Sequence, residues 1–436
     1  MLRSLAFGFV FYLLCIDGLE AQRSRKPLRI YLNEDSSSYA GFRIIGQFWL
    51  RFNQNNPGTL INDELRRNFN DFSIRRLRFQ TFGTIRDRTR FFLAFGQNNI
   101  NFETSRVGEI RLIDFYIDHK FTDYLQIGGG QSAWNGLSRF ASPASSSMLG
   151  LDIPIVALPT VNISDNLLRK LSIFFKGQFS HWDYRLVLSR PFPVETNGSF
   201  DPTMIETSDF ADLSPKLQTS AYLKYQFFEH ESQASPFSVG TYHGTKKILA
   251  VGGGFEIQPD ALWHFNAESD TVITNLELFA FDIFGEIPTR KNEAVSFYAS
   301  YLNYDLGPNY IRLIGVNNVA SGSNSQRSFN LGGNRYPTIG TGHTYYVSTG
   351  YLFSTEKFKQ RLKLQPFLSA QISDFERLDD LVTFYETGFN YILDGQRSKF
   401  TFAIQNRPIF NEIADGSIRS ISRRNAFIMQ YQFRIE

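Results

Sequence analysis

Cationic side chains in this chain sit one residue away from large apolar ones. Arg43 and Arg51 alternate with Phe42, Ile44, Phe48, Leu50 and Phe52, and Arg76 and Arg78 with Leu77 and Phe79. Lys176, Lys224 and Lys363 stand in the same relation to Phe175, Leu223 and Leu364. Period two places successive side chains on opposite faces of a strand. These cations would therefore share one face, and rings of them around a narrow passage would attract anions. Asp114, Asp118, Glu256, Asp282 and Glu386 fall on the same face by the same count. Mixed signs at this spacing allow a second chemistry, ion pairs that brace a wall. The expected braces run from Arg76 and Arg78 to Asp114 and Asp118, two strands away. Bracing is the ordinary use of a charge at such a position.

Other reactive patterns are absent from the sequence. None of the histidines (His119, His181, His230, His243, His264 and His343) has a metal-ligand spacing such as two His four apart. Nothing marks a Ser-His-acid triad. The expectation is a chain that is not an enzyme and that needs no metal or cofactor. The runs Gly128-Gly129-Gly130 and Gly252-Gly253-Gly254 match no phosphate loop and read as glycines that let the sheet bend or leave room for another side chain. The acidic turn Asp374, Glu376, Asp379 and Asp380 lacks the Asp-Gly ladder of a calcium loop and reads as a solvated tip.

The elements that must carry these charges are strands. From Gly41 to the final residues the alternation recurs in about 16 segments of ~10 residues, the length of tilted strands that cross a bilayer. An even number closes the sheet and leaves no edge in lipid. The expected fold is all-β, one antiparallel transmembrane barrel over residues 41–436. Composition agrees: 44 Phe and 20 Tyr coexist with a mean hydropathy of -0.24, as when only alternate residues face lipid. No stretch after residue 21 approaches the ~18 apolar residues of a spanning helix.

Residues 1–21 read as an export signal, with Arg3 as the basic start, Leu5 to Ile16 as the apolar centre and a cut near Ala21. Cys15, the one cysteine, lies inside it, so the mature chain would have no disulfide and no thiol chemistry. The formal charge is +3; losing Arg3, Asp17 and Glu20 with the signal makes it +4, too little for a nucleic-acid binder of this size. Residues 22–40 form a polar leader whose cations Arg23, Arg25, Lys26 and Arg29 belong to a disordered terminus, and it is too short for a plug domain.

Turns at Asp87-Arg88 and Phe121-Thr122-Asp123 are tight, whereas 132–168, 191–216, 306–340 and 408–422 read as long loops. Residues 136–166 hold Leu149, Leu151, Ile153, Ile155, Val156 and Leu158, with charges at Arg139, Asp152 and Asp165. A loop this apolar must pack against something. Folding into the barrel as a constriction is one solution, and a cap over the rim is the other.

Several stretches resemble the phosphate-selective porin O/P family, especially its Bacteroidetes members. They are Phe72 to Phe82 (FSIRRLRFQTF), Asp114 to Gln131, Gly136 to Asn162, Gly307-Pro308-Asn309-Tyr310 and Ala426 to Phe433. The resemblance implies a barrel of about 16 strands in the outer membrane of a Gram-negative bacterium. It also implies a homotrimer in contact with outer-membrane lipid that passes small hydrophilic or anionic solutes. The chain departs from the phosphate-specific pattern in that Arg139 is the one basic residue of the candidate constriction, which weakens the expectation of phosphate selectivity. The alternative role is a non-conducting barrel that anchors or presents partner proteins.

Overall fold

The computed structural model describes residues 28–104, 108–194, 206–290, 292–324, 328–354 and 363–436. The expected export signal and its cut fall outside the described residues. Sixteen strands form the wall: β1 (Tyr39–Gln54), β2 (Asn68–Ile85), β3 (Thr89–Ile100), β4 (Arg111–Lys120), β5 (Gln126–Ser132), β6 (Lys170–Phe179), β7 (Trp182–Arg190) and β8 (Gln218–Gln226), then β9 (Ile248–Phe265), β10 (Thr271–Arg290), β11 (Glu293–Asp305), β12 (Gly342–Ser354), β13 (Lys363–Phe375), β14 (Val382–Asp394), β15 (Ser398–Glu412) and β16 (Ile418–Ile435). Each pairs antiparallel with the next, and β1 also pairs with β16, which closes the barrel.

The alternation explains the closure. Phe48, Leu50, Phe52, Phe79, Phe281 and Leu368 point outward and stay exposed, while Gln47, Arg51, Gln365, Ser369 and Gln432 point inward and are buried. Across the closing seam Phe48 lies 6.1 Å from Phe433, and Phe52 lies 6.2 Å from Phe427, ring to ring. An apolar outer band and a polar interior are what a closed sheet needs to cross lipid with every ladder group paired.

One rim carries the short connections 86–88, 121–125, 180–181 and 395–397, together with both described chain ends. Loops 55–67 and 133–169 and the described parts of 191–217 and 306–341 leave the other rim. Three corrections follow. Residues 408–422 are not a long loop: β15 and β16 run on through them and leave only 413–417. The leader is not wholly outside the fold, because Arg29–Tyr31 pairs with Tyr39–Gly41. Residues 227–247, not among the expected long loops, form a long connection on the short-turn rim, between β8 and β9.

Both 133–169 and 227–247 turn into the barrel. The first packs Leu137, Ala141 and Val156 against Leu276, Leu278 and Tyr304. It packs Leu149 and Leu151 against Trp49 and Phe367, and Phe140 and Met148 against Phe284 and Tyr298. Its entry needs a close approach to the wall. A Cβ on Gly254 would stand 2.0 Å from the Gly136 carbonyl oxygen, and one on Gly136 would stand 2.2 Å from the Ala221 nitrogen. Of the two glycine runs, the second thus makes room for loop backbone at Gly254 and for the Tyr222 ring at Gly252.

Candidate solute pathway inside the barrel

Backbone buried inside a barrel needs partners. The stretch 145–149 finds them on the wall. The carbonyl oxygens of Ser145, Ser146, Met148 and Leu149 accept from Gln47 (3.1 Å), Gln432 (2.8 Å), Lys399 (3.1 Å) and Asn390 (2.8 Å). The Leu151 amide donates to Glu386 at 3.0 Å. The inward-facing polar residues of β1 and β14–β16 thus hold the loop across the lumen.

The loop from the opposite rim meets it there. Ala144 N donates to Ser238 O (2.8 Å), Ser238 N to Ser142 O (2.7 Å) and Thr241 N to Ser147 O (2.9 Å). Arg139 clasps Glu231 with two bonds of 2.6 Å, and Lys224 (3.0 Å) and the Tyr242 hydroxyl (2.6 Å) reach the same carboxylate. Burial opposes charge on Glu231, but Arg139 and then Lys224 outweigh it and hold the carboxyl well below its usual range. Burial likewise lowers Arg139, and Glu231 overcomes it so that the guanidinium is held more firmly protonated than usual. Glu286 ties the far end of the second loop, accepting from Thr241 Oγ1 (2.9 Å), Tyr242 N (2.8 Å) and Gly244 N (2.6 Å).

The anticipated charges divide into two groups. Arg51 forms a bidentate pair with Asp71 at 2.7 and 2.6 Å. Lys176 reaches Asp118 at 3.3 Å, donates to Gln233 O at 3.0 Å and lies 4.0 Å from the centre of the Trp134 ring. Lys224 lies between Glu231 and Asp183. Asp118 also holds Arg90, and Asp114 takes both arms of Arg169 at 3.1 and 3.0 Å. The braces expected between Arg76/Arg78 and Asp114/Asp118 therefore do not form. Asp114 and Asp118 take cations on β3 and at the start of β6, and Arg76 turns to Asp152 on the inward loop. Lys363 opens β13, where its charge is felt by His243, and Asp165 caps its own loop by accepting from Thr160, Asn162 and Leu168. Burial raises the Asp165 carboxyl.

The second group faces open space. A cavity of about 580 Å³ is lined by Arg43, Arg75, Arg76, Arg78, Arg169, Arg312 and Arg434 and by no carboxylate. Of the anticipated cations only Arg43, Arg76 and Arg78 are on this surface. Arg75 is an addition that parity misses. The β1–β2 register slips between Gln47 and Phe48, which pair with Arg76 and Ile74 respectively, so Arg75 is the extra residue of a β-bulge. Arg75 and Arg76 consequently both turn inward and share Asp152, with Arg75 Nε 2.8 Å from it. Burial works against the Asp152 charge, yet the two guanidiniums hold its carboxyl below the usual range. Arg78 meets Asn98 and the carbonyls of Leu77 and Gln97, and Arg312 meets the Val161 carbonyl. Among the described residues neither has an ion-pair partner.

Ile153 and Ile155 line this cavity and also a smaller one of about 80 Å³, which holds Glu386, Asp152 and Arg407. The inward loop therefore divides an arginine-lined space from one of mixed sign. The lining presents an excess of positive charge to whatever enters the cavity, and among the described residues no cluster of His, Cys, Asp and Glu could hold a metal.

No family model matches the sequence, and no curated protein matches it. In structure the chain is similar to OprB of Pseudomonas putida, with a TM-score of 0.55 at 9% identity over 91% of this chain and 94% of that one. It is also similar to OmpF of Salmonella typhi, solved in complex with daunomycin, with a TM-score of 0.50 at 9% identity over 93% and 100%. Identity this low speaks for the fold alone. The closed sixteen-stranded antiparallel barrel is the fold of outer-membrane porins.

Proposed function

We propose that this chain is a passive porin in the outer membrane of a Gram-negative bacterium, which lets small hydrophilic solutes diffuse and weakly favours anions. The observation that carries this reading is the cavity lined by seven arginines and no carboxylate. Low-dielectric walls concentrate the field of such a lining on whatever enters. Membership of the phosphate-selective O/P family belongs to the same proposal. Its support is the stretch Phe72 to Phe82, which supplies Arg75, Arg76 and Arg78. Export by residues 1–21 with a cut near Ala21, and assembly as a homotrimer, complete it. The cationic set that acts on solutes is Arg43, Arg75, Arg76, Arg78, Arg169, Arg312 and Arg434. Arg51, Arg139, Lys176 and Lys224 serve the wall and the loops.

The contact of two loops across the lumen favours a second reading, a sealed barrel that anchors or presents partners. Planar bilayers separate the two. The purified protein should give conductance steps and, in a potassium chloride gradient, a reversal potential of anion sign. A cation-signed potential would remove the anion preference, and the absence of steps would leave the sealed barrel.

A further inference from the structure

The arginine-lined cavity has a second wall of opposite character. Arg43, Arg75, Arg76, Arg78 and Arg434 stand on the adjacent strands β16, β1 and β2. Facing the same space are Ile153, Ile155, Leu158 and Val161 of the first inward loop and Ile314 and Val316 of loop 306–341. Of the seven guanidiniums here, five are ion-paired with three carboxylates, Asp114, Asp152 and Glu436, and Arg78 and Arg312 have none among the described residues, so seven positive charges stand against three negative ones. Arg312 Nη1 has no hydrogen-bond partner. At about 580 Å³ the space falls within the ~300–1,000 Å³ usual for small-molecule sites.

A small inorganic anion uses one wall of such a site. Phosphate would meet the guanidiniums but gain nothing from six aliphatic side chains that offer it no donor, and the water it sheds on that side would be uncompensated. A carboxylate attached to a compact apolar body matches both walls. Its oxygens take the guanidinium N–H groups in paired geometry, and its hydrocarbon covers the isoleucine face.

The geometry points to a binding site for small organic monocarboxylates with an apolar or aromatic body, held in transit between the arginine wall and the aliphatic loop face. The site rests on the barrel acting as an anion channel, and it names the anion class. Benzoate, benzamide and inorganic phosphate are the probes. Each is titrated calorimetrically into the detergent-solubilised full-length protein and added as a blocker of chloride current in bilayers. Benzoate should bind and block at concentrations about tenfold below those of phosphate and of benzamide, the difference expected of ~1.4 kcal/mol gained on each wall. Ile155→Asn and Ile314→Asn, each checked for heat-modifiable folding on gels, should each bring benzoate down towards phosphate. Arg78→Gln should weaken both anions. Equal affinity for phosphate and benzoate, or benzoate affinity untouched by both isoleucine variants, would overturn the site. Benzoate heat with no conductance steps would overturn the channel reading and leave the site standing. Steps without a benzoate advantage would do the reverse.

Discussion

Two sectors of the lumen use the same residue types to opposite ends. Between β3 and β10 every inward cation named above touches a carboxylate: Arg90 and Lys176 share Asp118, Arg169 at the edge of the arginine-lined cavity takes Asp114, Arg139 takes Glu231, and Lys224 reaches both Glu231 and Asp183. Around β16, β1 and β2 Arg75 and Arg76 likewise share Asp152, and Arg43 and Arg434 share Glu436, but Arg78 has neutral partners only, so among the described residues this sector holds a cation that no carboxylate offsets. The first sector is closed by the two inward loops and the second is open. Charge that is neutralised holds structure, and charge left in excess makes a field that a passing ion can feel. A face pattern counts both alike.

The largest effects should come from breaking the matched sector. Glu231→Gln would leave the buried Arg139 without its carboxylate and Lys224 with only the more distant Asp183 at 3.6 Å. Removing one member of such a pair costs about 3–5 kcal/mol. The midpoint of heat-modifiability on gels should fall accordingly, and single-channel conductance should rise as the loops part. Arg51→Gln, which strands the buried Asp71, should lower the midpoint by a similar amount through the wall. If Glu231→Gln leaves both readouts unchanged, the two loops are not held together by this cluster.

The period-two pattern placed Arg43, Arg51, Arg76, Arg78, Lys176, Lys224, Asp114, Asp118 and Glu386 inward, and all nine are buried or half-buried there. Parity is a local property, so it survives translation into a barrel. Ion-pair partners are not local. Arg76 chose Asp152 over Asp114 because a loop 76 residues away brings that carboxylate to β2. Arg75 was invisible because a bulge shifts phase by one residue without any marker in the sequence. The loop 227–247 was missed for a different reason. Its mixture of His, Ser, Pro and Gly reads as an ordinary connection, and what pulls it inward is Glu231 and Glu286, residues that look like any surface acid until their partners are known.

An intermediate effect should come from pH acting on that same loop. His243 is buried beside Lys399 and Lys363, and burial first, then those two charges, push its imidazole down to about 3. Its folded value lies below its unfolded one, so neutral His243 contributes stability above pH ~6.5 that is lost as pH falls towards about 3. Between pH 7 and pH 5 the loss is about 2 kcal/mol. Glu231 acts in the same direction but only below the ordinary carboxylate range, where its proton would break the clasp on Arg139. Acidification should therefore lower the heat-modifiability midpoint in two stages. His243→Gln should abolish the stage between pH 7 and pH 5 and retain the lower one. A midpoint flat across pH 7 to 5 in the unaltered protein would remove His243 from this account.

The smallest energies fall on the open sector, where they appear as selectivity. Arg78 contributes a charge with no ion-pair partner among the described residues, so Arg78→Gln removes field without stranding a carboxylate. A unit charge several ångströms from a permeating ion, in a medium of effective dielectric ~20–80, is worth about 1 kcal/mol. The anion-to-cation permeability ratio should therefore fall roughly fivefold, with the folding midpoint close to that of the unaltered protein. Arg51→Gln supplies the contrast. Arg51 and Asp71 cancel each other and neither lines the cavity, so this variant should lose stability while its permeability ratio shifts less than that of Arg78→Gln. Raising the salt should shrink the Arg78 effect, because the Debye length falls from ~10 Å at 0.1 M to ~3 Å at 1 M. The Arg51 loss of stability, which arises between buried groups in contact, should persist. Should Arg51→Gln and Arg78→Gln shift the reversal potential equally, the division of the lumen into a structural and an electrostatic sector would fail.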